Sequence, residues 1–170
     1  MRLHGPASGR AKIGLCALLS LLLTLSVTNA EPINQGGIVV GDGDTIKARG
    51  ENYRLVGFDA PEMWSPHRRV SIAEQNLGWK AKQRLKELIA SGPVDLEEVP
   101  CACTTDAKRD KEGRCRTANH LCAILTVNGK DVAETLITEG LAYAFVCTPT
   151  ECPKRLPWPE KETPSTTGSR

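Results

Sequence analysis

Two short acidic clusters contain the residues best suited to chemistry. The first occupies residues 42–45 (DGDT) and the second residues 59–62 (DAPE). Carboxylate oxygens are hard ligands that suit Ca²⁺ or Mg²⁺. Arg54 lies between the clusters, and a guanidinium beside carboxylates and a metal ion is a usual partner of phosphate. Alone, each cluster is more often a turn. Together with Arg54, they favour a metal site that acts on phosphate.

The elements around these clusters are predicted to bring them together. Short β-type runs at residues 38–40, 45–48 and 53–58 alternate with turn signals, and residues 49–52 are typical of a hairpin turn. A hairpin places the start of one strand beside the end of its neighbour. Asp44 and Asp59 would therefore reach one cation, and Glu62 could act through a bound water.

The remaining pattern predicts one long helix, one strand and one short helix. Apolar residues recur at helical spacing over residues 71–90, with Ser71 and Glu74 as a capping pair. Residues 121–127 read as a strand before the turn Asn128-Gly129, and residues 131–139 as a short helix. This order favours a small mixed β-barrel that carries helices over an alternating parallel α/β fold.

The first thirty residues have the pattern of a secretory signal peptide. Three cationic side chains precede an apolar run of fifteen residues (13–27), and small residues end the segment at Ala30. A membrane-spanning helix needs about 20 apolar residues, so an anchor is disfavoured. We expect cleavage near Ala30 and a periplasmic or secreted protein whose mature form does not bind a membrane. The expected organisation is a signal peptide (1–30), one domain (31–156) and a flexible tail (157–170).

Cysteine usage agrees with export. One of the seven cysteines, Cys16, lies in the apolar run and would be removed with the signal peptide. The other six are disulfide candidates: Cys101, Cys103, Cys115, Cys122, Cys147 and Cys152. Six cysteines allow 15 pairings, and the sequence does not choose among them. Zinc ligation is disfavoured because the cysteine spacings fit zinc sites poorly.

Charge and composition exclude one class of nucleic-acid binder. The formal net charge is +2, and without the three cationic residues of the signal peptide 19 basic residues face 20 acidic ones, a net charge of −1. A strongly cationic clamp is therefore excluded, although local basic patches are not. Aromatic residues make up 4% of the chain, so a binding surface cannot rest on many stacked rings.

The segment GDGDTIKARGENYRLVGFDAPE (residues 41–62) resembles the signature of the staphylococcal nuclease-like, or thermonuclease, family. That signature has the form DGDT followed by R-L-x-G-x-D-x-P-E. Residues 74–81 are similar to the family's first helix, and residues 128–142 to its later turn and helix. The resemblance covers about residues 36–146. It implies a mixed α+β, mainly β fold, a five-stranded OB-type barrel with two or three helices.

The resemblance also implies an activity and a division of roles. The family cleaves phosphodiester bonds of DNA and RNA with Ca²⁺. By resemblance, Asp44 and Asp59 would hold the ion through their carboxylates and Ala60 through its backbone carbonyl. Glu62 would activate the attacking water, and Arg54 would bind the phosphate. We expect single-stranded DNA or RNA as the substrate and a monomeric protein.

The family's second catalytic arginine has two candidate positions in this chain. It lies in a Gly-Arg pair before the strand that leads to the Gly-Lys turn, and counting back from Gly129 without gaps places His120 there. Alternatively, residues 110–114 (DKEGR) match the local motif, which assigns the role to Arg114 and makes residues 115–120 an insertion. The quality of the motif favours Arg114. A histidine, with an unperturbed pKa near about 6.5, would contribute only when protonated.

Nucleotide contacts are predicted to be fewer than in the family. The positions where the family stacks an aromatic ring hold Glu112 or Ala118, neither of which is aromatic. Tyr143 lies where the family places further nucleotide-contacting tyrosines. Lys111 belongs to a charged loop that either binds phosphate or is simply solvated. Because of these differences, one alternative is a weak or inactive nuclease-like OB domain that binds nucleic acid or protein. A third is a disulfide-linked protein that binds calcium only for stability.

Overall fold

The computed structural model describes residues 31–102, 110–158 and 160. The predicted signal peptide, Cys103 and most of the predicted tail lie outside the described residues. Within them, the elements in chain order are β1 (Glu31–Ile33), a 3₁₀ turn (Gln35–Gly37), β2 (Val39–Asp42), β3 (Thr45–Ala48), β4 (Glu51–Leu55), β5 (Gly57–Asp59), α1 (Ile72–Ala90), β6 (Val94–Val99), β7 (Leu121–Val127), β8 (Lys130–Asp131), α2 (Val132–Thr138) and β9 (Tyr143–Phe145).

Most strands belong to one sheet. Its order is β1-β6-β7-β4-β3-β2, with β8 paired to β7, and β5 pairs with β9 separately. Strands β4 and β7 run parallel, and the other neighbours are antiparallel. Among the described residues, the pairings do not join β2 back to β1. The predicted mixed α+β class, mainly sheet with two helices, is confirmed and is consistent with an OB-like fold.

The predicted hairpin forms between β3 and β4. Thr45 lies opposite Arg54 at one end, and Ala48 lies opposite Glu51 beside the turn. The third predicted strand, residues 53–58, is divided at Val56, whose backbone N–H donates to the Ala123 carbonyl at 3.0 Å. The chain then leaves the main sheet, and β5 pairs with β9. This division directs the end of β5 towards the start of β3.

Both predicted helices are present. The Ser71 hydroxyl caps α1 by accepting the Glu74 backbone N–H at 3.1 Å, and α1 buries Ala81 and Leu85 in the core. The Asp131 carboxylate caps α2 by accepting the Ala133 N–H at 2.8 Å. Strand β7 has the predicted bounds, residues 121–127.

Strands β1 and β6 were not predicted. Strand β6 (VDLEEV) pairs with both β1 and β7, and it buries Val94 and Leu96. Its three acidic residues obscure the alternation of apolar and polar positions. Only the neighbouring strands show that it lies inside the sheet.

Two disulfides fall among the described residues. Cys101, just after β6, is bonded to Cys122 in β7, and Cys147, just after β9, is bonded to Cys152. Cys115 is also disulfide-bonded. The prediction that the cysteines form disulfides is confirmed for these residues.

In the described part of the chain, we find no helix that combines the length and apolar character needed to cross a membrane.

Candidate functional site

Two buried carboxylates meet one guanidinium where β3 begins and β5 ends. The Arg54 Nη2 atom lies 2.5 Å from Asp44 Oδ2 and 2.9 Å from Asp59 Oδ1. Asp44 and Asp59 are only 2% and 3% exposed. The hairpin register brings the three side chains together, because Thr45 lies opposite Arg54 and β5 follows β4 directly. The predicted proximity of Asp44 and Asp59 is thus present.

The ionised form of the Asp44 carboxyl group is unfavourable in the folded protein. Burial, which disfavours the charged form, raises its pKa to about 7, although Arg54 and the Ala60 backbone N–H oppose the shift. Asp59 adds a further repulsive contribution. The Arg54 guanidinium is therefore shared between two buried carboxylates, and a further positive charge at this point would stabilise the ionised pair.

The backbone of the second acidic cluster is close to the first. The Ala60 N–H donates to Asp44 Oδ2 at 3.1 Å, and Ala60 is 2% exposed. This approach requires glycine at position 43, because a Cβ atom there would lie 2.7 Å from the Ala60 Cβ and 3.0 Å from the Ala81 Cβ. The Gly43 position thus lets the two acidic clusters and α1 pack together.

Helix α1 determines where Glu62 lies. The buried Glu74 carboxylate accepts the Glu62 backbone N–H at 3.2 Å and pairs with Arg68. Gly78, one turn further along α1, allows the backbone to approach closely, since a Cβ there would lie 2.7 Å from the Pro61 carbonyl oxygen. The Glu62 backbone is therefore held by a partly buried hydrogen bond and by close packing.

A second arginine contacts this site from the C-terminal segment. Arg155 Nη1 lies 3.1 Å from Glu62 Oε1, and Arg155 Nε lies 3.5 Å from Asp59 Oδ1. The Arg155 guanidinium also lies 5.9 Å from the centre of the Phe145 ring. Sequence reasoning missed this residue. The one sequence signal that could have suggested it is two adjacent cationic residues that lie between a cysteine and a tryptophan.

The other predicted site residues lie elsewhere. Arg114 pairs with Asp110 at 3.0 Å, and with Glu98 and Glu112 at 3.6 Å. The His120 ring Nδ1 lies 3.2 Å from the Thr117 carbonyl oxygen. Neither arrangement brings the side chain to the Asp44–Arg54–Asp59 cluster.

Of the two predicted nucleic-acid contacts, one is exposed and one is covered. Lys111 is exposed in a turn. Tyr143 is half-buried because the Trp158 ring stacks on it, with centres 4.1 Å apart and planes inclined by 10°. Trp158, which the sequence placed in the flexible tail, is only 8% exposed.

The donors present fit a hard cation in part. Among the described residues, no group of three or more acidic, histidine or cysteine side chains is placed to hold a metal ion. Asp44 and Asp59 offer two carboxylates; Arg54 contacts both, and Arg155 contacts Asp59. An ion here would need further oxygen ligands that are not carboxylates. The Ala60 backbone carbonyl and water are suited to this.

The family-model comparison agrees with the fold. Residues 52–162 match the family model described as staphylococcal nuclease homologue. The match spans more than half of the chain, so this protein belongs to the staphylococcal nuclease homologue family.

Two curated relatives are similar over part of the chain. Endonuclease YncB of Bacillus subtilis (strain 168) is 39% identical over 113 residues, which cover 64% of this chain and 46% of the relative. The SPbeta prophage-derived endonuclease YokF of the same strain is also 39% identical over 113 residues, which cover 33% of its length. The chain thus spans less than half of the length of these relatives.

Proposed function

We propose that this protein is a Ca²⁺-dependent nuclease that hydrolyses phosphodiester bonds of DNA, RNA or both. The observation that carries the proposal is the buried cluster of Asp44, Arg54 and Asp59, with Glu62 beside it. Membership of the family and the endonuclease names of two relatives support it. Two carboxylates that share one guanidinium suit a site that holds both a cation and an anionic phosphate.

In this proposal, Asp44 and Asp59 hold the ion through their carboxylates and Ala60 through its carbonyl. Calcium, when bound, would polarise the phosphoryl group and lower the cost of its negative charge. Arg54 binds the phosphate through its guanidinium group. A charge-assisted hydrogen bond from a fixed guanidinium costs little reorganisation during the reaction.

Glu62 acts as the general base. It takes a proton from a water molecule whose oxygen forms a bond to phosphorus, while the P–O bond to the leaving alkoxide breaks. Solvent protonates the alkoxide, and Glu62 returns its proton to solvent. The products are a phosphomonoester and a hydroxyl group. The hydrogen bond from the Glu62 backbone to Glu74 fixes the base relative to the phosphate.

We further propose that the protein is exported as a monomer and prefers single-stranded nucleic acid. The predicted signal peptide supports export, and so do the disulfides Cys101–Cys122 and Cys147–Cys152, which persist in oxidising compartments. A single strand can bring its backbone to a recessed carboxylate base more easily than a duplex can.

The test is cleavage of a labelled single-stranded oligonucleotide by the oxidised protein, first with Ca²⁺ and then with a chelator. We expect cutting that requires Ca²⁺ and that Glu62→Gln reduces by at least about 10²-fold, because the variant lacks the base. The matched control is Glu87→Gln, an exposed glutamate on α1 that pairs with Arg84 at 3.5 Å. This control should cleave like the unaltered protein.

The converse result would identify a binding module. If the folded protein binds the oligonucleotide but does not cut it, and Glu62→Gln changes nothing, the nuclease proposal is wrong. Calcium that raises the melting temperature without either binding or cutting would instead favour a purely structural ion.

A further inference from the structure

The Glu62 carboxylate has an arginine beside it that comes from outside the signature segment. Arg155 lies 93 residues away in sequence, and its Nη1 atom is 3.1 Å from Glu62 Oε1. Its Nε atom is 3.5 Å from Asp59 Oδ1. Arg54 and Arg155 also line the same cavity, of about 450 Å³, together with Phe145. Two guanidinium groups therefore line one cavity, and one of them, Arg155, contacts the proposed base.

The segment that carries Arg155 is fixed at both ends. Cys152 is bonded to Cys147, immediately after β9. At the other end, the Trp158 ring stacks on Tyr143 in β9. Because one attachment is to β9 and the other lies two residues beyond it, and β9 pairs with β5, the segment is held near the element that carries Asp59.

Stability does not account for the ion pair between Arg155 and Glu62. The Arg155 side chain is 48% exposed, and an exposed ion pair typically contributes less than about 1 kcal/mol. An anchored segment that presents a half-exposed guanidinium to a base is better suited to a ligand. The ligand must be negatively charged, because it would replace a carboxylate as the partner of the Arg155 guanidinium.

The charges of the site favour such a group. Asp44, Asp59 and Glu62 would repel a phosphodiester, and Arg54 is already shared between Asp44 and Asp59. A second cation beside Glu62 would attract the phosphate and balance the charge that its oxygens gain in the transition state.

Arg114, the arginine that the sequence favours for this role, is committed to other partners. Its guanidinium pairs with Asp110, Glu98 and Glu112. The next arginine, Arg116, pairs with Glu51 at the turn end of the hairpin. Glu51 and Arg54 are three residues apart on β4, about 10 Å along the strand. The loop therefore lies towards the opposite end of the hairpin from Asp44.

We propose that Arg155 is the second phosphate-binding catalytic arginine of this protein and that it moves from Glu62 to the scissile phosphate when substrate binds. The inference rests on the proposed nuclease function. It assigns the transition-state charge to a residue of the C-terminal segment rather than to Arg114 or His120.

The experiment measures kcat and KM for a labelled single-stranded oligonucleotide with Ca²⁺. We expect Arg155→Ala to lower kcat by about 10²-fold or more, as the loss of one preorganised charge donor does elsewhere. Arg155→Lys keeps the charge but loses the planar fork and should retain part of the rate. Added guanidinium ion at a non-denaturing concentration should partly restore Arg155→Ala. A structural role would not give this rescue.

Two comparison variants make the test specific. Arg84→Ala removes a surface arginine that pairs with a glutamate, Glu139, at 2.8 Å and should leave kcat unchanged. Arg114→Ala should affect kcat less than Arg155→Ala does. Binding is measured separately in the Glu62→Gln background, where adding Arg155→Ala should weaken oligonucleotide affinity.

The outcomes separate this inference from the nuclease proposal. If the unaltered protein does not cleave, the proposed function is wrong and this inference with it. If it cleaves and Arg155→Ala cleaves equally well, only this inference is wrong. Faster cleavage by Arg155→Ala also overturns it, since Arg155 would then be blocking the base. Should Arg155→Ala fail to fold, Arg155→Lys decides, because an unchanged kcat together with unchanged affinity contradicts the assignment.

Discussion

Asp44 combines burial, a salt bridge and a repulsive neighbour within a single side chain. Its pKa is raised to about 7, mainly by burial, even though Arg54 lies 2.5 Å away. A carboxyl group that is easier to protonate in the folded than in the unfolded protein lowers stability once it ionises. Ionisation of Asp44 therefore lowers the stability of the fold, whereas cation binding needs the ionised form.

In calcium-free buffer we expect Asp44→Asn to stabilise the protein at high pH. The folded-state pKa lies above the ordinary value of 3.8, so the wild-type free energy of unfolding falls as the pH rises from about 4 to about 7. The variant should therefore gain little near pH 4 and roughly 1–4 kcal/mol at pH 8. Urea unfolding at both values measures the difference.

The control for this prediction is Glu87→Gln, which replaces an exposed carboxylate that pairs with Arg84 at 3.5 Å on the surface of α1. The stability of this variant should change by a similar small amount at both pH values. A loss of stability in Asp44→Asn at pH 8 would contradict the explanation.

Helix α1 supports the segment that carries Glu62. Its buried residues hold it against the sheet, and its first turns present Glu74 and Gly78 to residues 61–63. Glu74 was predicted only as a capping residue. In the structure its backbone N–H is capped by Ser71, while its carboxylate binds the Glu62 N–H and Arg68.

Gly78→Ala tests this support. A Cβ atom would lie 2.7 Å from the Pro61 carbonyl oxygen and 3.1 Å from Met63 Cγ, so the segment must move. Since a shift of about 1 Å in a catalytic group can cost about 10²-fold in rate, we expect kcat to fall far more than KM rises. Steady-state cleavage kinetics on the folded variant provide the measurement.

Gly37→Ala is the matched control, because a Cβ atom at position 37 meets nothing within 4 Å. Its kcat should equal that of the unaltered protein. Full activity in Gly78→Ala would show that Glu62 does not depend on α1 for its position.

At the scale of the whole molecule, the two disulfides that join described residues differ in what they are expected to contribute. Cys101–Cys122 joins cysteines 21 residues apart and links the end of β6 to β7 in the main sheet. Cys147–Cys152 spans only 5 residues and anchors the segment that carries Arg155. Because it closes the longer loop, we expect Cys101–Cys122 to contribute more to stability. Because it anchors the Arg155 segment, we expect Cys147–Cys152 to matter more for activity.

Removing each disulfide should separate these effects. In the chain-entropy model, replacing both Cys101 and Cys122 by Ala costs about 3 kcal/mol, and replacing both Cys147 and Cys152 costs about 2 kcal/mol. We expect the reverse order for kcat, with the larger loss in the second variant. Urea unfolding and cleavage kinetics on the two variants test both orders, and a larger kcat loss in the Cys101 and Cys122 variant would refute the division.

Much of the site could be predicted because it is local. Arg54, Asp59 and Glu62 lie within nine consecutive residues, and one hairpin joins them to Asp44. Hairpin register, helix caps and turns depend on neighbouring residues, so α1, α2 and β7 were also recognisable. Strand β6 was not, because its place in the sheet depends on β1 and β7, which are distant in sequence.

The types and order of the residues in the signature were enough to indicate the family and the cluster around Asp44. Folding alone decided that the charge beside Glu62 comes from Arg155, which is 93 residues away. It also decided that Asp44 is buried and that Trp158 packs on Tyr143. The physical reason is that burial and long-range contacts depend on how the chain returns to the sheet, and no local spacing of residues encodes that path.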